Sequence, residues 1–412
     1  MKYGCIGEHL PHSFSKLIHA HLASHDYELC ELAPDEVGRF LRERAFEGIN
    51  VTIPYKQTVM AYLDEIDETA ARIGAVNTVV NRGGRLCGYN TDLYGMREMI
   101  ARAGIVLADK KVLILGTGGT SRTARAVAAS LGAREIVTVS RTEKEGCVTY
   151  ADAYRLHSDA EVILNTTPCG MYPETEGCPI ELDRFPALTG VVDAVYNPLR
   201  TELYLRARER GISATCGLFM LVAQAVRASE LFVGAEYDAS VAESVYRKLL
   251  AERENVVLIG MPASGKTTVG GILADLTGKR LIDVDEFIVA QTGRAIAEIF
   301  STDGEAYFRS LEREAIRKLS GESGCILATG GGAVLDPENV RALRRNGRIL
   351  FLDRPPAELL PTPDRPTANS AEAILRRYEE RYEIYCRACD EQIRTCSTAQ
   401  ATAEEILRRW NK

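Results

Sequence analysis

Short apolar runs alternate with helical patterns along the first part of the chain. Strand-like runs occupy residues 28–32, 48–53 and 76–80, and apolar positions have helical spacing over residues 15–24 and 34–44. Runs of this length and composition predict strands, and their alternation with helices predicts an α/β domain.

A strand, a glycine-rich turn, a helix and a second strand are predicted next. Apolar runs at 112–115 and 135–139 flank a turn over residues 116–121 and a helical pattern over residues 122–131. A βαβ unit of this size is typical of dinucleotide binding, because the glycines let the backbone approach a pyrophosphate closely.

A phosphate-binding loop is predicted at residues 260–268, where GMPASGKTT follows an apolar run and precedes a helical pattern. The glycines let several N–H groups face one phosphate at the start of a helix. We expect Lys266 to reach the β- and γ-phosphates and Thr267 to hold Mg²⁺. The predicted ATP site comprises Gly260, Ala263, Ser264, Gly265, Lys266, Thr267 and Thr268.

The remaining patterns set the predicted domain limits. Residues 160–216 continue the α/β style, residues 218–250 have helical spacing, and the charged segment 250–255 is predicted to be a short bridge. We therefore predict an α/β protein of three domains. The first domain is a substrate-binding domain of residues 1–100, which the helices of 218–250 complete. The second is a Rossmann domain at 101–217, and the third is a P-loop domain with a parallel sheet at 255–412.

Composition supports a globular protein of several domains. The chain has 412 residues, 46% hydrophobic and 26% charged, and this length exceeds what one hydrophobic core usually serves. A net charge of −7 gives no electrostatic reason to expect nucleic acid or an anionic membrane as a partner. The first residues have no charged leader before an apolar core, and no apolar run has bilayer length. We therefore expect a cytoplasmic protein.

The eleven cysteines form no paired framework and are expected to be reduced thiols. Cys386 and Cys389 have the CxxC spacing of a zinc site, and Cys396 follows them. All six histidines lie within the first 157 residues, far from these cysteines in sequence. A structural zinc site needs a fourth ligand nearby, so we prefer the reduced-thiol interpretation.

The residues after the second strand of the βαβ unit indicate which dinucleotide binds. Ser140, Arg141 and Thr142 stand where NAD enzymes have an acidic residue. A guanidinium with hydroxyl neighbours suits the 2′-phosphate of NADP, whereas a carboxylate accepts from the 2′-hydroxyl of NAD. A solvated surface arginine is the alternative. The predicted cofactor site comprises Gly116, Gly118, Gly119, Ser140, Arg141, Thr142 and Lys144.

A hydride-transfer enzyme also needs a group that exchanges a proton with the reacting carbonyl. Lys56, in NVTIPYK at residues 50–56, and Asp92, in GYNTD at residues 88–92, are candidates. Taken singly, each is more often a solvated surface residue.

Residues 1–250 closely resemble shikimate dehydrogenases. The matching motifs, in the family's order, are PHSFSK (11–16), NVT (50–52), GAVNT (74–78), NTD (90–92), NTTPCGM (165–171), DAVYNP (193–198) and GLFMLVAQ (217–224). By this resemblance, Lys56 and Asp92 form the catalytic pair for reduction of 3-dehydroshikimate. The residues implied around the substrate, besides that pair, are Ser13, Ser15, Thr52, Asn77, Tyr196 and Gln224, and Gly217 is implied at the cofactor.

The chemistry of shikimate suits this set, because three ring hydroxyls and one carboxylate need hydroxyl and amide partners. In the implied reaction, Lys56 protonates the alkoxide that forms as hydride reaches the ketone. The chain departs from the family pattern at Ser140, where asparagine is common, and at Phe219, where glycine is frequent.

A predicted strand at residues 280–285 ends in two acids, Asp283 and Asp285. Alternate residues of a strand share a face, so both carboxylates are expected on one side. Two solvated acids at a strand end are the alternative.

Residues 255–412 resemble shikimate kinases, whose fold is similar to that of nucleoside monophosphate kinases. The matching features are the phosphate-binding loop, the two acids, GEAYFRSLE (304–312), GGG (330–332) and ERYEIY (380–385). The resemblance implies that Asp283 supports Mg²⁺ together with Thr267. The residues implied around the acceptor are Asp285, Arg309, Gly331 and Arg381.

The proline-rich segment 355–369 corresponds to the lid of that family. Arg365, followed by Pro366, matches the lid arginine and is expected to act on ATP and on the transferring phosphoryl group. Thr367 and Ala368 replace the leucines that follow it in the family, and a second upstream arginine has no clear counterpart. The catalytic residues implied for this half are Lys266, Asp285 and Arg365.

Together the resemblances predict a bifunctional enzyme of chorismate biosynthesis. It reduces 3-dehydroshikimate with NADPH and then phosphorylates shikimate at the 3-hydroxyl with ATP and Mg²⁺. One alternative is a dehydrogenase that prefers quinate. A second is a P-loop half that binds ATP and shikimate as a regulatory module without transferring phosphate, and the unusual lid motivates it.

Overall fold

The computed structural model describes residues 1–10, 14–22, 26–359 and 371–410, and only the backbone of Ala371 and Ala373. The chain divides into two compact units, Met1–Leu249 and Leu250–Lys412. Among the described residues, no helix is long and apolar enough to cross a membrane.

The first unit begins with a mixed six-stranded sheet and its helices. In chain order the elements are β1 (Tyr3–Gly7), α1 (Ser15–Leu22), β2 (Tyr27–Glu31), α2 (Val37–Glu43), β3 (Gly48–Val51), β4 (Glu65–Ile66), α3 (Glu68–Ile73), β5 (Thr78–Arg82), β6 (Arg85–Tyr89) and α4 (Thr91–Arg102). The strand order is β2-β1-β3-β5-β6-β4, in which β5 runs antiparallel to both β3 and β6. Ile6, Ile49, Val79 and Leu86 belong to its buried apolar cluster.

A second sheet of six parallel strands completes the first unit. Its elements are β7 (Lys111–Leu115), α5 (Gly119–Ser130), β8 (Glu135–Ser140), β9 (Val148–Thr149), α6 (Tyr150–Leu156), β10 (Val162–Asn165), β11 (Gly190–Asp193), α7 (Glu202–Glu209), β12 (Ser213–Thr215), α8 (Leu218–Val233) and α9 (Val241–Arg253), which crosses the unit boundary. The order is β12-β11-β10-β7-β8-β9. The order reverses at β7, and such a switch point leaves a crevice at the carboxyl ends of the strands.

Both faces of the second sheet are covered, as the apolar run of β7 requires. Val112 and Ile114 pack into one apolar cluster, and Leu113 and Leu115 pack into another. Successive side chains of a strand point to opposite faces, so a strand buried on both sides is apolar throughout.

The second unit is built on five parallel strands. Its elements are β13 (Asn255–Ile259), α10 (Lys266–Thr277), β14 (Arg280–Asp283), α11 (Val284–Thr292), α12 (Ile296–Thr302), α13 (Gly304–Leu319), β15 (Cys325–Ala328), α14 (Pro337–Asn346), β16 (Gly347–Asp353), α15 (Ala371–Ala388), β17 (Glu391–Arg394) and α16 (Ala399–Trp410). The order is β14-β15-β13-β16-β17. The predicted α/β class with parallel sheets is confirmed.

The segment predicted to be a short charged bridge is mostly the end of a helix. Helix α9 continues to Arg253, and β13 begins at Asn255. Glu254 between them is 1% exposed and forms an ion pair with Arg348 at 3.0 Å. Asn255 is also buried, and its side chain accepts from the Cys325 N–H at 3.0 Å. The polar groups at the end of this segment have partners inside the unit, so their polarity does not indicate exposure.

The predicted helical region 218–250 contains two helices. Helix α8 ends at Gly234, whose backbone φ of +67° is a left-handed conformation that favours glycine. Helix α9 begins seven residues later, at Val241.

Helices α4 and α8 approach each other closely at Gly95. A β-carbon at Gly95 would lie 2.5 Å from the Met220 carbonyl oxygen and 3.1 Å from the Gln224 nitrogen. Asp92 lies at the start of α4, so this contact fixes the distance between Asp92 and the Gln224 side chain. Only glycine permits the approach.

We predict that Gly95→Ala destabilises the protein although alanine favours helices. The intrinsic gain is about 1 kcal/mol, and forcing a methyl group against backbone costs about 1–3 kcal/mol. Urea unfolding measures the change. Gly271→Ala in α10 is the matched control, because a β-carbon there meets no atom within 4 Å and the variant should be stabilised. Equal gains in both variants would contradict the close helix contact.

Candidate functional sites

Lys56 and Asp92 form an ion pair in the first unit. The Lys56 Nζ donates to Asp92 Oδ2 at 2.5 Å, and the two side chains are 21% and 13% exposed. Asp92 lies in the first turn of α4, which Asn90 caps by accepting from the Leu93 N–H. The fold thus brings together two residues that are 36 positions apart in sequence.

Asn77 fixes the other oxygen of the Asp92 carboxylate. Its Nδ2 donates to Asp92 Oδ1 at 2.9 Å, and its Oδ1 accepts from the Thr91 N–H at 2.7 Å. Gln224 Oε1 lies 3.4 Å from Asn77 Nδ2 and 3.3 Å from Thr91 Oγ1. Four predicted site residues, Lys56, Asn77, Asp92 and Gln224, therefore form one hydrogen-bonded group.

Sequence reasoning missed a polar chain beneath this group. The Tyr27 hydroxyl donates to Asn50 Oδ1 at 2.6 Å, and Asn50 Nδ2 donates to Thr78 Oγ1 at 3.1 Å. Thr78 then donates to Asn77 Oδ1 at 3.1 Å. Asn50 and Thr78 are paired across β3 and β5. The sequence signal for this polar chain was the presence of polar residues in strands that are otherwise apolar.

The other predicted substrate residues lie on several elements of the same unit. Ser15 is the first residue of α1, and Thr52 follows β3 with its N–H donating to Ile6 O at 3.0 Å. The Tyr196 ring packs on Phe14, next to Ser15, with ring centroids 5.4 Å apart. Ser13 lies outside the described residues.

The buried Cys5 thiol lies within electrostatic range of both Lys56 and Tyr196. Burial raises the pKa of Cys5 to about 12, while the positive charge of Lys56 acts in the opposite direction. Burial also raises the pKa of the Tyr196 hydroxyl, and Cys5 contributes to that rise. Lys56 and Tyr196 therefore share the surroundings of one thiol.

The glycine-rich turn fits a dinucleotide phosphate. Gly116 has a φ of +107°, and a β-carbon there would lie 2.9 Å from Thr166 Oγ1. Ser121 donates to Gly116 O at 2.7 Å and so closes the turn. Gly118 and Gly119, at the start of α5, have no atom within 4 Å of a β-carbon position, which leaves space for a ligand against bare backbone.

The predicted cations lie at the end of β8. Arg141 directly follows β8 and is exposed, and the Ser140 hydroxyl accepts from the Thr142 N–H at 3.4 Å. Lys144 Nζ lies 3.3 Å from Thr117 Oγ1 in the glycine-rich turn. The cations therefore lie beside the turn that fits a phosphate.

Gly217 and Phe219 hold the start of α8 in place. A β-carbon at Gly217 would lie 2.1 Å from Ala194 O, so only glycine fits. Phe219 is 8% exposed, and its ring packs edge-on against Tyr246 and lies under the Arg102 guanidinium. The larger side chain at 219 therefore packs into the core of the unit.

Asp193 is a buried acid that orders the loop carrying Tyr196. Its carboxylate accepts from Thr201 Oγ1 at 2.7 Å and from the Val195 N–H and Asn165 Nδ2 at 3.0 Å. Burial raises the pKa of Asp193 to about 6, although these donors oppose the rise. The native state therefore binds a proton more tightly here than the unfolded chain does.

We predict that this acid makes stability fall as pH rises from about 4 to 7. A raised native pKa contributes stability below the ordinary value of 3.8, and this contribution is lost as pH rises through about 6. The loss is about 3 kcal/mol. Urea unfolding of Asp193→Asn should show a correspondingly flatter profile, with exposed Asp183→Asn as the control. A profile that matches wild type would contradict the burial effect.

In the second unit, the phosphate-binding loop has the backbone of an anion site. Gly260 and Gly265 have positive φ values of +147° and +92°, and Ala263 adopts +64°. The Lys266 ammonium is buried and donates to Gly260 O and Met261 O, each at 2.9 Å. The loop leads directly into α10, so N–H groups at the helix start are available to a phosphate.

The other predicted loop residues lie around this anion site. Ser264 is buried beside Lys266, whereas Thr267 and Thr268 are exposed in the first turn of α10. Thr267 donates to Asp283 Oδ2 at 2.7 Å. A hydroxyl beside a carboxylate is an oxygen donor set of the kind Mg²⁺ prefers, so these two residues fit that ion.

The two acids do not share a strand face. Strand β14 ends at Asp283, which caps α11 by accepting from the N–H groups of Asp285 and Glu286. Asp285 lies in the first turn of that helix. The prediction from strand alternation was wrong, because a capping aspartate changes the backbone from strand to helix between the two acids.

The predicted acceptor pocket contains a run of three glycines with charged side chains against it. A β-carbon at Gly330 would lie 2.7 Å from Glu312 Oε1 and 3.0 Å from Asp285 Oδ1, and one at Gly332 would lie within 2.5 Å of the Arg309 guanidinium. Gly331 O accepts from Arg381 and from Tyr385. The two distances are 3.0 and 2.5 Å. Asp285, Arg309, Gly331 and Arg381 are thus brought together, as the sequence predicted.

Sequence analysis assigned no role to two residues of this pocket, Glu312 and Tyr385. Glu312 is fully buried, and its Oε2 accepts from Arg309 at 2.7 Å. Burial raises the pKa of Glu312, and the Arg309 charge opposes that rise. Both residues lie in motifs that the sequence analysis identified. Their helical spacing from Arg309 and Arg381 could have indicated that they face the same pocket.

Arg365, the predicted lid arginine, lies outside the described residues.

The two units match two different protein families. A family model of the shikimate dehydrogenase substrate binding domain matches residues 5–79, and one of shikimate kinase matches residues 262–411. An NADP(+) shikimate dehydrogenase of Clostridium perfringens is 36% identical over 265 residues, which cover 60% of this chain and 97% of the relative. One from Halothermothrix orenii is 39% identical, covering 56% and 90%.

Solved structures of shikimate dehydrogenases are similar in fold to part of this chain. Shikimate dehydrogenase 1 of Peptoclostridium difficile has a TM-score of 0.56 and 32% identity, covering 60% of this chain and 98% of the other. The Thermus thermophilus enzyme in complex with NADP(H) and shikimate has a TM-score of 0.54 and 31% identity, covering 60% and 99%.

The fold and sites therefore define an α/β protein that joins a Rossmann-type dehydrogenase unit to a P-loop unit. The chain belongs to the shikimate dehydrogenase family and carries a shikimate kinase domain in its second unit.

Proposed function

We propose that this chain catalyses two consecutive reactions, reduction of 3-dehydroshikimate by NADPH and phosphorylation of the resulting shikimate by ATP. The observation that carries the proposal is that one chain contains both the Lys56–Asp92–Asn77 group and a P-loop unit with an arginine-lined acceptor pocket. The product of the first reaction is the acceptor of the second.

For the reduction, NADPH supplies the hydride when it is bound. The Lys56 ammonium donates a proton to the oxygen of the ketone as that oxygen gains negative charge, and Asp92 holds the ammonium in place. Asn77 keeps the Asp92 carboxylate in one orientation through its 2.9 Å bond. The products are a hydroxyl group and neutral Lys56, which regains a proton from solvent.

The preference for NADP is assigned to the cations after β8. Arg141 and Lys144 would hold the 2′-phosphate, with Ser140 and Thr142 as hydroxyl partners. The names of the Clostridium perfringens and Halothermothrix orenii relatives, which give NADP(+), support this choice.

For the phosphorylation, Asp285 accepts the proton of the acceptor hydroxyl as its oxygen attacks the γ-phosphoryl group of ATP. Lys266 then bonds phosphate oxygens in place of the loop carbonyls, and Thr267 and Asp283 would hold Mg²⁺. Arg309 and Arg381 hold the acceptor carboxylate at the opposite end of the ring. Arg365 remains the proposed lid cation.

Quinate is the second candidate substrate of the first unit. A quinate dehydrogenase of Corynebacterium glutamicum, in complex with NAD, has a TM-score of 0.54 and 27% identity and covers 60% of this chain. Quinate differs from shikimate in the ring, so the ratio of kcat/KM for the two substrates decides between them.

One coupled assay tests the whole proposal. The enzyme is supplied with 3-dehydroshikimate, NADPH, ATP and Mg²⁺, and we expect both NADPH oxidation and formation of shikimate 3-phosphate. Oxidation of NADPH without the phosphorylated product would favour the regulatory interpretation of the second unit. Lack of both would overturn the proposal.

We predict that Lys56→Met lowers the rate of reduction by about 10²- to 10⁴-fold, the usual contribution of a general acid. Phosphorylation of added shikimate should be unchanged. Lys110→Met is the matched control, because Lys110 also pairs with a carboxylate, Glu161, at 2.7 Å. Near-normal reduction across the pH range would show that another group donates the proton.

We predict that Asp285→Asn lowers the kcat of phosphorylation by about 10²-fold or more while reduction continues. The amide keeps the shape of the side chain but cannot accept the proton. Glu286→Gln, at an exposed position next to it, should retain activity. A loss confined to shikimate binding in Asp285→Asn would mean that this acid only orients the acceptor.

A further inference from the structure

One face of α15 carries three polar side chains, and two of them contact Gly331 O in the predicted acceptor pocket. Arg377, Arg381 and Tyr385 are spaced by four residues, and residues with this spacing are neighbours on one helix face. Arg381 and Tyr385 both donate to Gly331 O. The positive charges of Arg309, Arg377 and Arg381 all oppose the rise in the pKa of the buried Tyr385 hydroxyl.

Arg377 differs from Arg309 and Arg381, because a buried nitrogen of its guanidinium has no acceptor among the described residues. Its Nη1 is buried and has no hydrogen-bond acceptor in the part of the chain that the structure describes. Burial lowers the pKa of Arg377, and the charge of Arg381 lowers it further. The charges of Glu305 and Glu380 act in the opposite direction, but no ion pair joins Arg377 to either acid among these residues.

Two acids near the pocket, Glu305 and Glu312, are already bonded to Arg309. Arg309 donates to Glu312 at 2.7 Å and to Glu305 at 2.9 Å. Arg381 is turned toward Gly331 O. Guanidinium groups have five N–H donors and remain charged, so Arg377 needs an anion that the described residues do not supply there.

We propose that Arg377 is a specificity-determining residue of the acceptor site, where it binds the acceptor's carboxylate together with Arg381. This inference rests on the proposed kinase function. The carboxylate is the appropriate anion because the reacting hydroxyl belongs at the other side of the glycine run, where Asp285 lies against Gly330. The phosphates belong at the loop, where Lys266 lies.

Shikimate and its methyl ester provide the test, because the ester has no carboxylate. Their binding to the full-length protein is titrated calorimetrically without ATP, and phosphorylation kinetics are measured in parallel. We expect Arg377→Met to weaken shikimate binding by about tenfold or more, the loss of one charge-assisted hydrogen bond, with little change in kcat. Binding of the ester should hardly change. Arg377→Lys should recover part of the affinity.

Arg376→Met is the matched control, since Arg376 is the exposed neighbour on α15 and should leave both ligands unaffected. Equal losses for acid and ester in Arg377→Met, unchanged shikimate binding, or a loss in kcat alone would each overturn the inference. If wild-type protein binds no shikimate without ATP and does not phosphorylate it, the proposed kinase function fails as well. The measurement on wild-type protein therefore distinguishes failure of the kinase proposal from failure of the Arg377 inference alone.

Discussion

Backbone contacts closer than a side chain permits are the constraint on which both sites depend. Helix α4 meets α8 at Gly95, and the start of α8 meets the loop after β11 at Gly217. In the second unit, Gly330 and Gly332 admit carboxylate and guanidinium groups against bare backbone. These contacts set the distances between charged groups on separate elements, which hydrogen bonds alone would leave adjustable.

Within those limits, each unit orients its reactive groups through bonds among its own residues. The Asp92 carboxylate is bonded by Lys56 on one oxygen and by Asn77 on the other. Asp283 similarly bonds Thr267 with one oxygen and caps α11 with the other. Side chains held in this way need little rearrangement when a ligand binds, and such preorganisation contributes to transition-state stabilisation.

The sequence predicted the elements with strong local signals and failed where tertiary contacts decide. The phosphate-binding loop and the glycine-rich turn require particular backbone shapes, so their residues specify their structure directly. Asp283 and Asp285 were predicted to share one strand face, but Asp283 caps a helix and Asp285 lies within that helix. Glu254 illustrates the same limit, because its burial depends on a pairing with Arg348 that the sequence does not show. The role of Asn50 likewise depends on partners remote in sequence.

The left-handed backbone of Ala263 limits the conformational freedom of the phosphate-binding loop. A residue with a β-carbon in this conformation costs about 1–2 kcal/mol relative to glycine, and neighbouring contacts must hold it there. Glycine at this position would relieve the strain but would also give the open loop more conformational freedom. An alanine held in this shape gives the loop fewer conformations than glycine would, so less entropy would be lost if a phosphate binds there.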